Sequence, residues 1–272
     1  MADLKPPEAD GLVIPKVGPW SRTKHYYLDR YIHALTTSMT QKWQLHYIDL
    51  FAGAGIEHLD GDGLDWGSPL IAAQAAVRFH QIHLCELDQQ KVSALVSRLE
   101  MFPQPTAPQV LQGDANKNVH PIVERIPIRD ALTLAFLDPY GLHLDFATVR
   151  RLAADDRRID FIIFFPDHLD ALRNFNLYLQ NPDSNLDRFF GTDEWRKIQA
   201  KPRDRWAEEL RKLYEAQLRK LGYKHFGYKR IALPGGNPLY QLIFCSRHPL
   251  GLKIWDGISE IGHDGQRSLL FD

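Results

Sequence analysis

Tyr47-Ile48-Asp49-Leu50-Phe51-Ala52-Gly53-Ala54-Gly55 is the stretch on which the fold turns. An apolar run ends in a carboxylate, and two glycines follow one residue apart. The pattern predicts a buried strand entering a tight turn, where a missing Cβ lets the backbone approach a ligand closely. Working outward, Trp20 to Met39 carries Tyr27, Tyr31, Ile32 and Leu35 at helical spacing. Gln44 to Phe51 is a strand. Gly67-Ser68-Pro69 opens a helix through Val77, with Ser68 suited to the N-cap and Pro69 to the first helical position. Further strands are expected over 81–87, 108–112, 131–137 and 159–165, with helices over 89–101, 118–125 and 146–154. The alternation predicts a parallel sheet with helices on both faces.

Pro166 breaks the pattern. His168 to Lys201 reads as an irregular, polar and aromatic insertion, and Arg203 to Leu221 as a long amphipathic helix. Lys224 to Leu233 and Leu239 to Cys245 flank Pro234-Gly235-Gly236-Asn237-Pro238, a hairpin signal. One α/β domain over 1–272 results, with 1–43 as an N-terminal arm and helix and 168–201 as an insertion.

Composition sets outer bounds. With 44% apolar and 25% charged residues, the 272-residue chain is an ordinary globule. A formal net charge of −1 provides no global basic field for nucleic acid. Cys85 and Cys245 each sit in an apolar run, which argues against a disulfide framework or a thiolate metal site and for a reducing, cytoplasmic setting. None of the twelve histidines forms a metal pattern. No apolar run reaches the roughly 18 residues of a membrane span. Met1 to Gly18 lacks the apolar stretch of a signal peptide and is expected to be a mobile or surface-bound arm.

Three places converge at the C-terminal edge of such a sheet, where open α/β folds bind ligands. They are the turn Phe51-Ala52-Gly53-Ala54-Gly55, Glu86 at the end of the next strand, and Gly113-Asp114-Ala115-Asn116 after the third. Glu86 can accept both hydrogen bonds from a ribose diol. Asp114 can accept from an adenine amino group, with a neighbouring backbone N–H, as at Ala115, donating to the ring; equally, it can cap a helix. A dinucleotide site wants a third glycine and an acid about 20 residues on. The third glycine is missing, and Glu86 arrives late, after an extra loop from His58 to Trp66. Asp49 before the turn suits a ligand with an amino group and a sulfonium, namely S-adenosylmethionine.

Asp49 to Gly55 resembles motif I of class I S-adenosylmethionine-dependent methyltransferases, and its Phe-Ala-Gly form resembles those acting on nucleic acids. The resemblance implies a Rossmann-like, seven-stranded, mostly parallel sheet ending in an antiparallel hairpin. More narrowly, the chain is similar to the bacterial three-Cys-motif partner proteins. The matching features are Trp20 with Lys24 and Tyr31, Tyr47 to Gly55, Gly67-Ser68-Pro69, Asp138-Pro139-Tyr140-Gly141, Phe189-Phe190-Gly191 with Trp195, and Pro238-Leu239-Tyr240 through Ser246-Arg247-His248-Pro249. That family implies a second role, as a subunit regulating or recruiting a radical S-adenosylmethionine-type enzyme.

Asp138-Pro139-Tyr140-Gly141 ends the fourth main strand beside the cofactor turn. Methyl transfer is an in-line attack in which the enzyme mainly positions its reactants. Asp138 and the Pro139 carbonyl suit the N–H of an exocyclic amine, and Tyr140 suits a stacked, flipped-out base. The tetrad is similar to the Asp-Pro-Pro-Tyr of amino-methylating enzymes with its aromatic one place early, and closer to the Asp-Pro-Phe-Gly of tRNA guanine N2-methyltransferases. Asp167, His168, Arg173 and Asn174 are candidates for holding substrate, and Lys24 and His25 are within reach from the first helix. Between Arg196 and Arg230, twelve Lys and Arg face four acids, with Trp195, Trp206 and Tyr214 nearby. This suggests a phosphate-contacting surface.

Overall fold

The computed structural model describes residues 7–233 and 236–260. In chain order the strands are β1 (Lys16–Val17), β2 (Gln44–Asp49), β3 (Ile56–Leu59), β4 (Gly63–Trp66), β5 (Gln81–Glu86), β6 (Gln109–Gln112), β7 (Ala131–Leu137), β8 (Ile159–Phe165), β9 (His225–Ala232) and β10 (Pro238–Ser246). The α-helices are α1 (Trp20–Met39), α2 (Ser68–Ala73), α3 (Gln89–Leu99), α4 (Ala115–Glu124), α5 (Phe146–Leu152), α6 (Phe175–Leu179), α7 (Asn185–Phe190), α8 (Trp206–Lys220) and α9 (Pro249–Ser259).

Seven strands form the main sheet in the order β6-β5-β2-β7-β8-β10-β9. All neighbours run parallel except β10, which is antiparallel to both β8 and β9. This is the Rossmann-like methyltransferase fold that the alternation and the terminal hairpin predict. The hairpin tip, Pro234 and Gly235, lies outside the described residues, as do residues 1–6 of the expected arm.

Alternation along each strand builds two cores. On β8, Ile159, Phe161, Ile163 and Phe165 face one layer with α4, α5, α7 and α8. Ile162 and Phe164 face the other, with α1, α2, α3 and α9. Strands covered on both faces lack a polar side, which is why β7 and β8 read as unbroken apolar runs. Asp160 is the exception on β8. It is buried and accepts a 2.8 Å hydrogen bond from Tyr31 on α1.

Four expectations need correction. The segment 58–66 is not a loop. It is most of the β3–β4 hairpin, which with β1 forms a separate three-stranded sheet. Ser68 is not the N-cap of α2. Gly67 takes that place, and the Ser68 hydroxyl instead donates to Asp49 Oδ2 at 2.6 Å. The insertion after β8 is not irregular. It holds a π-helical turn (Asp167–Ala171), α6, α7 and a 3-10 turn (Glu194–Ala200). Its aromatic residues, including Phe175, Phe189, Phe190 and Trp195, fill the core.

The fourth concerns the basic segment. Trp195, Trp206 and Tyr214 are buried in the core and cannot stack on bases. Six of the twelve cations are paired with acids within the fold: Arg196 with Asp187, Lys197 with Glu194, Arg211 and Arg219 with Glu215, Lys212 with Glu208, and Arg230 with Asp167. The acids lie one helical turn away or on another element, so the linear count overstates the free charge.

The described part of the arm is tied down. Arg98 on α3 is buried and grips Asp10 through Nε and Nη2 at 2.7 and 2.8 Å. The same guanidinium donates to the Val13 and Ala54 carbonyls at 3.1 and 2.6 Å, so one side chain joins the arm to the turn after β2.

Candidate active site

The C-terminal ends of β2, β5, β6 and β7 bring most of the predicted site residues to one edge. Three hydrogen bonds stitch their turns together. Ala52 N–H donates to the Cys85 carbonyl at 2.9 Å, Gly53 N–H to Glu86 Oε2 at 2.9 Å, and Gly113 N–H to the Glu86 carbonyl at 2.9 Å. Gly55 has φ +85°, and a Cβ there would lie 3.0 Å from Leu70 and 3.1 Å from Leu95. Its hydrogen is required by both backbone and packing. Gly53, at φ +65°, faces open space, so the backbone is bared above the turn.

Asp49 is fully buried at the end of β2. Ser68 Oγ and Tyr47 Oη donate to Oδ2 at 2.6 and 3.3 Å, and the Phe51 N–H donates to Oδ1 at 3.1 Å. Burial pushes its pKa up to about 7 against these donors, and Asp138 adds to the rise. A carboxylate so placed gains from a cation set beside it. Glu86 is nearly buried, and its oxygens accept from the Gly53 and Asp88 N–H groups at 2.9 Å each. These bonds fix the carboxylate and leave each oxygen a further lone pair for a diol. Asp114 is exposed and caps α4, accepting from Asn116 N–H at 2.8 Å, while Ala115 is buried. The bared backbone at Gly53, the buried acid at Asp49 and the fixed acid at Glu86 together fit S-adenosylmethionine.

The second half of the site stands on β7. Asp138 Oδ2 lies 2.5 Å from Lys24 Nζ, both side chains nearly buried. Burial opposes the charge on Lys24, but Asp138, Glu57 and Asp49 outweigh it and hold the pKa above the ordinary lysine value. Pro139 is buried, while Tyr140 is 92% exposed and free to stack on a flat ligand. Gly141 has φ +67°, and a Cβ there would meet Asp170 Oδ2 at 2.6 Å. The tetrad is thus backed by the insertion.

The residues after β8 divide. Asp167 is fully buried and accepts from Arg230 and Gln241 at 2.5 and 2.7 Å. Burial works against its charge, but His168, Arg230 and Gln241 together lower its pKa. His168 is part-exposed, 3.2 Å from Arg230. Asn174 donates to Asp170 Oδ1 at 2.8 Å beside the Tyr178 hydroxyl at 2.6 Å, and so braces the carboxylate against which Gly141 packs. Arg173 is exposed. Asp167 and Asn174 are thus engaged within the fold, leaving His168 and Arg173 the more accessible of the four.

Sequence reasoning missed Glu57 on β3. Glu57 lies just before the segment His58 to Trp66 that was set aside as a loop; the signal was that 56–59 and 63–66 flank a Gly-containing turn. Concavities of about 390 Å³, lined by His46, His83 and Arg125, and of about 430 Å³, lined by Asp187 and Arg196, lie away from this edge. The candidate residues instead converge at surface turns, where a cleft need not enclose much volume.

No protein-family model and no curated protein matches the sequence. Among solved structures, the chain is similar to the Legionella pneumophila protein LPL1258, at 11% identity over 90% of this chain and 95% of that chain, with a TM-score of 0.53. It also resembles the O-methyltransferase from Bacillus cereus in complex with SAH, at 11% identity over 83% and 81% of the two chains, TM-score 0.48. A third likeness is the N-methyltransferase NodS from Bradyrhizobium japonicum in complex with S-adenosyl-l-homocysteine, at 9% identity over 85% and 89%, TM-score 0.42. At these identities a likeness speaks for the fold alone, and of the three only the first exceeds 0.5. Among the described residues, no helix is long and apolar enough to cross a membrane.

Proposed function

We propose that this chain is an S-adenosylmethionine-dependent methyltransferase acting on an exocyclic amino nitrogen of a nucleic-acid base. The observation that carries the reading is the placement of two buried or nearly buried carboxylates, Asp49 and Asp138, at the ends of adjacent strands beside a bared glycine turn. When bound, S-adenosylmethionine supplies an electrophilic methyl group on a sulfonium. Asp49 would hold the cationic end, Gly53 and Gly55 would let the backbone approach, Glu86 would take the ribose hydroxyls, and Asp114 with Ala115 would line the adenine side. Asp138 and the Pro139 carbonyl would accept hydrogen bonds from the amine and aim its lone pair, with Tyr140 under the base. The burial at Asp49 and Asp138 excludes competing water and strengthens both contacts. His168 and Arg173 would meet the substrate at the rim.

Two measurements test this. Calorimetry with S-adenosylmethionine reads the cofactor site, and no heat and no thermal shift at millimolar ligand ends the proposal. Methyl incorporation into RNA or DNA, compared between the native chain and Asp138→Ala, reads the acceptor arm. Equal incorporation by both would remove Asp138 from the chemistry.

A second reading rests on the occupied state of Asp138, whose Oδ2 already holds Lys24. A three-Cys-motif partner that keeps the fold and recruits a radical enzyme would not need a free acceptor arm. Cofactor binding without methyl incorporation into any nucleic acid would favour that reading.

A further inference from the structure

The small sheet β1-β3-β4 has its own place at the site. Arg22 on α1 binds Asp62 and Asp65 of the hairpin at 3.0 and 3.3 Å, clamping it beside Lys24 and His25. The clamp brings Glu57 on β3 to the acceptor side. Glu57 stands directly opposite Asp65 across the hairpin, a like-charge pair that costs stability. Asp65 is compensated by Arg22, whereas Glu57 Oε2 is buried without a hydrogen-bond partner. His25 Nδ1 is 3.9 Å away, too far for a hydrogen bond, and both ring nitrogens of His25 are likewise buried and unpartnered. Glu57, two residues beyond the cofactor turn, and His25 thus carry three orphaned polar atoms between them, two of which, Glu57 Oε2 and His25 Nδ1, lie 3.9 Å apart. Local rules broken without compensation in the fold mark a site that another molecule completes.

We infer that Glu57, seated beside His25 and the Lys24–Asp138 pair, is the residue that accepts the proton released by the acceptor nitrogen. The inference rests on the methyltransferase reading above. In the step, the nitrogen lone pair forms the new N–C bond as the S–C bond breaks with its electron pair going to sulfur. The excess N–H proton then passes to the Glu57 carboxylate. Asp138 is the poorer candidate because Lys24 already occupies it. With Asp65 held by Arg22, the remaining acids Asp49, Glu57 and Asp138 outnumber Lys24 and Lys91, which favours a neutral or cationic nitrogen donor over a carboxylate or phosphate acceptor.

The charged groups around Glu57 are Lys24 from α1, Asp65 from β4, Lys91 from α3 and Asp138 after β7, with His25 of α1, whose pKa burial lowers, and the Tyr240 hydroxyl of β10 nearby. Burial pushes the Glu57 pKa up to about 7, Asp138 and Asp65 adding and the lysines opposing. A base of that strength suits work near neutrality.

The test compares the full chain with Glu57→Gln and Glu57→Asp, using methyl-labelled S-adenosylmethionine with total RNA and with genomic DNA. Rates are taken at saturating cofactor from pH 5.5 to 8.5, and cofactor affinity by calorimetry. Glu57→Gln should bind the cofactor within about twofold of the native chain, melt no lower, and label about 100-fold more slowly. It should also lose the rise in rate through about pH 7, which Glu57→Asp should partly restore. Labelling by Glu57→Gln at the native rate with the native pH profile overturns the role of Glu57 and leaves the methyltransferase reading standing. A native chain that binds the cofactor yet labels neither pool overturns both.

Discussion

Lys24 Nζ, on the first helix, meets Asp138 Oδ2, at the end of β7, at 2.5 Å across 114 residues of sequence. The contact joins the N-terminal helix to the proposed acceptor arm, and both side chains are nearly shielded from water. Removing one partner strands the other charge, so Lys24→Met should cost about 2–4 kcal/mol. Lys24→Met/Asp138→Asn should recover most of that loss. Denaturant unfolding of the two single variants and the double variant reads the coupling; purely additive losses would show that the pair acts as two independent sites.

Asp49 makes cofactor affinity depend on pH. Its pKa is raised to about 7, and a cationic ligand binds the ionised form best. Affinity for S-adenosylmethionine should therefore rise by up to about tenfold per pH unit between pH 5.5 and 6.5 and level off above 7. Asp49→Asn should bind weakly with no such slope. Calorimetry across this range checks it, and a flat native profile would detach Asp49 from the ligand.

The same carboxylates set a stability trend. Burial raises both Asp49 and Glu57 to a pKa of about 7, above their ordinary values of 3.8 and 4.5. For a raised acid, the native state is favoured while the group is protonated, and that advantage is lost as pH rises from about 4 through 7. At about 1.4 kcal/mol per pKa unit, each ionisation costs a few kcal/mol by pH 8. Asp49→Asn and Glu57→Gln should each stabilise the chain at pH 8 and do little at pH 5. Equal effects at the two pH values would contradict the shifts.

The two glycines of the turn should separate folding from binding. Gly55→Ala forces a methyl to 3.0 Å from Leu70 at positive φ, so stability should fall by about 2–4 kcal/mol. Gly53→Ala meets no neighbour and carries only the strain of its φ, about 1 kcal/mol, while its methyl enters the proposed cofactor space. It should weaken cofactor binding far more than it lowers the melting temperature. Native affinity in Gly53→Ala would move the cofactor elsewhere.

Tyr140 is almost wholly exposed, so Tyr140→Ala should change stability by less than about 0.5 kcal/mol. If a base stacks on it, acceptor binding should weaken by about 1–3 kcal/mol. Methylation kinetics at limiting acceptor read this, and an unchanged apparent affinity would leave Tyr140 without a stacking role.

Much of the architecture was legible along the chain. The apolar runs at β7 and β8 and the stripe on α1 place their own elements, because hydrophobic period is a local property. The turn after β2 and the acids at Asp49, Glu86 and Asp138 follow strand ends, so the sheet edge that gathers them could be read from the alternation of elements. The small sheet was not legible. β3 and β4 are only four residues long and alternate weakly, and β1, two residues long, is defined solely by pairing with β3.

The sequence by itself determined the sheet, its two covered faces and the strand-end carboxylates, since each depends on residues close together in the chain. Tertiary structure alone decided the partners of those carboxylates. Lys24 against Asp138, Ser68 against Asp49, and Arg98 bridging Asp10 to the turn at Ala54 all join distant segments. The fold likewise turned a basic, aromatic segment into core rings and paired ions. Burial and pairing depend on which elements meet in space, and that is fixed only when the whole sheet closes around its helices.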